Sequence, residues 1–123
     1  GVQTCALPIF RSFCFSCRHV RLQEIQALVR GMPNLERLSL VESSMDSDGA
    51  IAIAEGLPYL TYLDLSANEI GNRGVQAIIE NLTQLKELNI AVNDRISRGF
   101  APVLRELESR GITVIKSNYL NDF

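Results

Sequence analysis

The chain repeats a pattern of apolar residues every 25 positions, and this repeat constrains the fold more than any other feature. In four copies, apolar residues stand at the first, fourth and sixth positions of a six-residue segment. These segments are residues 10–15, 35–40, 60–65 and 85–90. A fifth segment, residues 110–115, keeps the spacing but places polar residues, Arg110 and Thr113, at two of the three positions. A fixed period of this length is typical of stacked repeat proteins.

Each copy begins as a strand and continues as a helix. The repeated segment alternates apolar and polar residues, as a strand with one buried face does. The residues after it carry apolar side chains at helical spacing, as at Ile70, Val75 and Ile78. The residues expected to end the helices in a left-handed conformation are Gly31, Gly56, Asn81 and Gly111. Pro102 fits only the first turn of a helix, so the last helix is expected to begin near Phe100.

One strand–helix unit cannot bury its own apolar face, whereas stacked units bury the faces of their neighbours. The pattern LxxLxLxxN is present in full at residues 60–68 and, with Ile90 as a conservative change, at residues 85–93. The chain therefore resembles the leucine-rich-repeat family. Its helical half is similar to the ribonuclease-inhibitor-like branch, for which 25 residues is a short repeat. The resemblance implies an α/β fold, a right-handed leucine-rich-repeat solenoid (α/β horseshoe) with a parallel sheet on the concave face and helices outside.

The resemblance also implies a structural role for the asparagine that ends the pattern. Its side chain is expected to lie inside the turn and to bond backbone groups that would otherwise be buried without partners. The expected members of this asparagine ladder are Asn68, Asn93 and Asn118. Ser43 can replace part of the interaction with its hydroxyl, whereas Arg18 cannot.

The sequence divides into three parts. Residues 1–9 match, position by position, the translation of a common sequencing adapter, so we interpret them as non-native and exclude them from the fold; the alternative is a genuine apolar amino-terminal arm. The natural chain is then expected to extend further upstream. Residues 10–118 form the leucine-rich-repeat domain of about four to five repeats, and residues 119–123 form a C-terminal tail or cap.

Composition excludes several classes of protein. With 12 basic and 14 acidic residues, the formal net charge is −2, which argues against a dedicated nucleic-acid or membrane-surface binder. No apolar run approaches the roughly 18 residues that a transmembrane helix needs. We therefore expect no nucleic acid and no membrane as partner.

Few residues could carry chemistry. Cys14 and Cys17 form a CxxC motif with His19 nearby, which could be a metal site, a redox dithiol or a pair of incidental free thiols. A structural zinc needs four ligands, and the chain offers no second cysteine pair and no further histidine, so incidental thiols are favoured. Reduced thiols would suit a cytoplasmic setting. A single histidine and the lack of a phosphate-binding loop predict no catalysis, no cofactor, no metal and no small-molecule substrate.

The remaining candidate site is the concave face of the predicted sheet. Alternate strand residues face opposite ways, so the residues that flank the buried leucines project from this face. The candidate partner-binding residues are Arg37, Ser39, Tyr62, Asp64, Glu87 and Asn89. Arg37, Tyr62 and Glu87 are expected side by side on adjacent strands, and Tyr and Arg are favoured anchors of protein interfaces. A purely solvating role for Arg37 and Glu87 is the alternative.

The fifth copy leaves its register open. Strict spacing turns Ile112 and Val114 to the concave face and puts Thr113 in the core. A shift of one residue would instead bury the apolar pair. Alternatively, this strand ends the stack and the residues after it fold over the open edge as a cap.

The family resemblance implies protein–protein interaction, so the expected partner is another protein. Two alternatives are a repeat segment of a larger regulatory protein and a purely structural spacer. Regulatory proteins of this kind include GTPase-activating proteins, ubiquitin-ligase adaptors and nucleotide-binding receptors.

Overall fold

The computed structural model describes residues 12–14, 19–117 and 120. Five strands and four α-helices alternate along this part of the chain. The strands are β1 (Ser12–Cys14), β2 (Arg37–Ser39), β3 (Tyr62–Asp64), β4 (Glu87–Asn89) and β5 (Thr113–Ile115). The helices are α1 (Leu22–Gly31), α2 (Ser47–Gly56), α3 (Asn72–Asn81) and α4 (Ala101–Ser109), with a short 3-10 helix, Arg98–Phe100, before α4. Residues 1–9, Cys17, Arg18 and Asn118 lie outside the described residues.

The strands form one parallel sheet in chain order, β1-β2-β3-β4-β5. From β1 to β4 each residue pairs with the residue 25 positions later, so Leu38 lies opposite Leu63, and Leu63 opposite Leu88. The predicted fold class is confirmed: the chain is an α/β leucine-rich-repeat solenoid with a parallel sheet on one face and helices on the other.

The core lies between the sheet and the helices and runs through the whole stack. Leu38, Leu63 and Leu88 are fully buried at the centres of their strands. Ile53 and Ile78 close the core from the helix side and are fully buried as well. Each repeat thus shares its apolar interior with the repeats beside it, which is the source of stability in stacked repeat proteins.

Two glycines at the start of helices permit this close stacking. A Cβ atom on Gly49 would lie 2.8 Å from Ile25 Cδ1, and one on Gly74 would lie 2.7 Å from Ile70 Cγ2 and 3.1 Å from Ala50 Cβ. These distances are too short for carbon atoms in contact. A side chain at either position would therefore push neighbouring repeats apart.

The predicted left-handed helix ends are correct only at Gly111, which has a φ of 91°. Gly31, Gly56 and Asn81 are instead the last residues of their helices. The residues that follow them cap the helices with negative φ values, −136° at Met32 for example, so no left-handed residue is needed there. Gly56 has a different constraint, because a Cβ atom there would collide with Val29 of the preceding helix.

Strict spacing gives the wrong register for the fifth copy, because β5 is shifted by one residue. Val114 pairs with Leu88 and is buried, and Thr113 pairs with Glu87 on the concave face. The expected concave position of Val114 is therefore wrong. Ile112 is not on the concave face either, because it precedes the strand and packs against the core.

The shift arises at the end of α4. This helix begins at Ala101, with Pro102 in its first turn, and runs to Ser109, later in its repeat than α2 or α3. It closes in a Schellman motif, in which the Gly111 amide donates to the Glu108 carbonyl (3.0 Å) and the Ile112 amide donates to the Leu107 carbonyl (3.2 Å). The turn at Gly111, which is in the left-handed conformation, thus contains the one additional residue that shifts β5.

Candidate functional site

The concave face carries two rows of side chains that cross the strands. The register of β2, β3 and β4 places Arg37, Tyr62 and Glu87 side by side in one row. The second row consists of Ser39, Asp64 and Asn89. We call these six residues the concave site. Arg37 is exposed, and the other five are half-buried.

Arg37 and Tyr62 form a cation–π pair at the centre of the concave site. The guanidinium carbon of Arg37 lies 4.3 Å from the centroid of the Tyr62 ring. Such a pair contributes about 0.5–1 kcal/mol at an exposed site. The contact holds both side chains in one arrangement.

The Tyr62 hydroxyl lies in a negative environment. Burial raises the pKa of Tyr62 above its ordinary value, and the charges of Asp64 and Glu87 raise it further. The Arg37 charge acts in the opposite direction without reversing the shift of this pKa. A hydrogen bond from the Tyr62 hydroxyl to Asp64 also favours the protonated form, so the hydroxyl remains a donor at neutral pH.

Asp64 and Asn89 also stabilise the turns that follow their strands. The Ser66 amide and hydroxyl donate to Asp64 Oδ1 at 3.0 and 2.8 Å, and the Ala91 amide donates to Asn89 Oδ1 at 3.1 Å. A side chain that accepts from the amide two residues later forms an Asx-turn. Sequence reasoning assigned these residues to partner contacts and missed this second role, although Asp and Asn before a turn are its usual signal.

Asn68 bonds the backbone of two successive repeats from inside the turn. Its Oδ1 accepts from the Ser43 and Met45 amides at 2.9 and 3.0 Å. Its Nδ2 donates to the Leu40 carbonyl at 2.8 Å and to the Leu65 carbonyl at 3.0 Å. One side chain therefore satisfies backbone groups of both repeats that would otherwise be buried without partners.

Asn93 repeats this arrangement one repeat later. Its Oδ1 accepts from the Ile70 amide at 2.9 Å, and its Nδ2 donates to the carbonyls of Leu65 (2.9 Å) and Ile90 (3.1 Å). Ser43, at the equivalent earlier position, is fully buried and donates its hydroxyl to the Val41 carbonyl at 3.3 Å.

Polar links between successive helix starts were missed by sequence reasoning. The Gly71 amide donates to Ser47 Oγ at 2.9 Å, and Asn72 and Ser97 exchange two hydrogen bonds of 2.9 and 3.0 Å. Ion pairs join the same edge, Arg73–Asp48 at 3.3 Å and Arg95–Glu69 at 3.1 Å. The sequence signal that could have revealed these links is the separation of the two residues of each pair, which is about one repeat.

The structure assigns no clear chemistry to the CxxC motif. Cys14 is exposed with a free thiol, whereas Cys17 is not among the described residues. Within the described part of the chain, no three His, Cys, Asp or Glu side chains are grouped to hold a metal ion. Every helix there falls short of the length and apolarity required to cross a bilayer.

Comparison with known proteins agrees with the repeat architecture. The family model described as Leucine Rich repeat matches residues 56–78. The solved structure of leiomodin-1 actin-binding site 2 is similar over 94% of this chain and 73% of its own, with a TM-score of 0.71 and 18% identity. The tropomodulin C-terminal domain of Caenorhabditis elegans is similar over 94% of this chain and 80% of its own, with a TM-score of 0.69 and 13% identity. No curated protein matches the chain. The repeat signature, the in-register parallel sheet and these likenesses agree on a leucine-rich-repeat fold for this chain.

Proposed function

We propose that the chain is a non-catalytic module that binds another protein through the concave site. The observation that carries this proposal is the Arg37–Tyr62 pair, held at 4.3 Å on the exposed face of the sheet with Glu87 beside it. No cofactor takes part in the proposed interaction. The leucine-rich-repeat fold itself supports a protein-binding role.

The residue types at the concave site suit a protein interface. Tyr and Arg are enriched among the residues that dominate binding energy, because they combine a large apolar surface with polar atoms. Here the arginine is stacked on the ring, so less side-chain freedom is lost on binding. The small side chains of the second row, such as Ser39, leave room for a partner to approach the ring. We expect modest affinity, because few large side chains contribute.

The test compares two double variants of the whole chain. Arg37→Ala with Tyr62→Ala removes the stacked pair, and Arg30→Ala with Tyr59→Ala removes the same residue types at exposed positions away from the sheet face. Proteins retained by the immobilised chain are identified by mass spectrometry, and binding of each purified candidate is then measured. The proposal expects candidates that bind the control variant normally and bind the concave variant at least about tenfold more weakly. Equal binding to both variants would favour the structural spacer.

Actin is the first purified protein to test, because the leiomodin-1 structure that shares this fold is an actin-binding site. Co-sedimentation with filamentous actin and a monomer-binding titration cover both forms of this protein. Binding that is lost in the Arg37→Ala, Tyr62→Ala variant would make actin the partner of the concave site. Absence of binding would remove actin and leave the choice to the candidates from the retention experiment.

The finer alternative is a repeat segment of a larger regulatory protein, of the GTPase-activating, ubiquitin-ligase adaptor or nucleotide-binding receptor type. In that case the concave site would recruit a partner to a second domain. The complete coding sequence tests this alternative, which requires such a domain in the same reading frame.

A further inference from the structure

Resting on the proposed function, we propose that the segment bound at the concave site is basic and places an arginine or lysine side chain over Tyr62, between Asp64 and Glu87. The inference concerns the chemistry of the partner, which the fold alone does not determine.

The first row places the tyrosine between a cation and a carboxylate. Tyr62 stands between Arg37 on β2 and Glu87 on β4. The Arg37 guanidinium already stacks on the ring at 4.3 Å. In the proposed complex a second cation approaches from the β4 side, where Glu87 lies beside Tyr62. Stacking and ion pairing at one point is the arrangement that favours a guanidinium or ammonium group.

The two carboxylates of the concave site are not neutralised by the described residues. Ion pairs join other acidic residues to arginines or a lysine, but none involves Asp64 or Glu87. Asp64 and Glu87 lie diagonally across adjacent parallel strands, a relation that places their backbone positions about 8 Å apart and allows one long cationic side chain to reach both.

More negative than positive charge acts on the tyrosine hydroxyl. Burial is the largest cause of the raised pKa of Tyr62; both carboxylates raise this pKa further, and the charge of the stacked Arg37 lowers it by less. The two neighbouring carboxylates therefore outweigh the one arginine in contact with the ring. An acidic segment would be repelled from this position, whereas a basic segment would be attracted and oriented by it.

The test uses the full chain and a library of random linear peptides, sorted by whether a fixed position holds a basic, an acidic or a neutral residue. Binding is measured by fluorescence anisotropy at low and high ionic strength. The informative variant is Asp64→Asn with Glu87→Gln. Asparagine preserves the turn, because Asn89 makes the same turn in the next repeat. The control, Asp94→Asn with Glu55→Gln, makes the same charge changes at exposed positions away from the concave site.

We expect the basic pools to bind best, and expect salt to weaken their binding. The Asp64→Asn, Glu87→Gln variant should bind a selected basic peptide about tenfold more weakly than the control does. Preference for acidic or neutral pools, or equal affinities of the two variants, overturns the inference.

The Arg37→Ala, Tyr62→Ala variant separates this inference from the proposed function. If that variant loses binding while the preferred peptides are not basic, the concave site binds protein segments and only the inference about charge fails. If that variant binds peptides as the unmodified chain does, or if no pool binds to the chain at all, the proposed function fails as well.

Discussion

Replacing Asn68 with alanine should destabilise the protein strongly, because this side chain bonds buried backbone groups of two repeats. Three buried backbone groups lose their bond to this side chain: the amides of Ser43 and Met45 and the carbonyl of Leu40. The Leu65 carbonyl retains the donor from the next asparagine of the ladder. At about 1 kcal/mol or more for each unsatisfied group, the expected loss is about 3 kcal/mol. This is a large part of the roughly 5–15 kcal/mol that stabilises a typical domain.

Urea denaturation followed by circular dichroism measures this loss, with Asn81→Ala as the matched control. Asn81 is exposed and makes one hydrogen bond, to the Ala77 carbonyl at 2.8 Å, so its removal should cost less than about 0.5 kcal/mol. Because repeat proteins can unfold in parts, hydrogen exchange should be measured as well. The Ser43 and Met45 amides should lose protection in Asn68→Ala. Unchanged protection of these amides, or a free energy of unfolding equal to that of Asn81→Ala, would refute the reasoning.

The remaining predictions concern glycines and the tyrosine. Gly111→Ala should reduce the free energy of unfolding by about 1 kcal/mol, since φ is 91° there. Gly31→Ala, at a helical position with open space, should be neutral or slightly stabilising in the same urea titration. Gly74→Ala should cost about 1–3 kcal/mol by thermal melting, because its Cβ would lie 2.7 Å from a neighbouring side chain. Gly99→Ala, at the same repeat position, has nothing nearer than 3.9 Å and should change the melting temperature little. Because the pKa of Tyr62 is raised, the free energy of unfolding should fall as the pH rises above about 10. The tyrosinate absorbance that is lost in Tyr62→Phe should appear at a higher pH than that of an ordinary tyrosine. A pKa at or below the ordinary value would contradict this.

The register of the first four strands was predictable because the period is strict. Each of these copies has the same length, so a residue such as Leu38 identifies its partner, Leu63, by counting. The register of β5 was not predictable in the same way. Burying Thr113 and burying Val114 both fit the local pattern, and the choice depends on how far α4 continues before Gly111.

The glycines illustrate how one residue type can serve two different purposes. Gly31 and Gly56 follow apolar helical segments, which suggested that each ends its helix in a left-handed conformation, but both remain helical. Residues with side chains occupy left-handed positions in the turns instead, Ala67 and Val92 with φ values of 57°. Neither choice is visible in the sequence, because the Ala67 and Val92 amides bond to groups one repeat later, the Ala91 carbonyl (2.9 Å) and Ser117 Oγ (2.8 Å).

The neighbours in the concave site were predictable, but their interactions were not. Counting by 25 places Arg37, Tyr62 and Glu87 in one row, as the strand pairs do. That Arg37 stacks on the ring, and that Asp64 supports the turn after β3, depends on side-chain conformations that no repeat pattern specifies. Their roles in binding remain proposals that the variants above can test.

Successive repeats share one interior and pair their strands in parallel, at intervals of 25 residues from β1 to β4. Nuclear Overhauser effects between backbone protons of β2, β3 and β4 measure this pairing. We expect contacts that link Arg37 to Tyr62 and Leu38 to Leu63, with the same offset continuing to Leu88. Contacts that instead place Arg37 beside Asp64, as antiparallel strands would, contradict it.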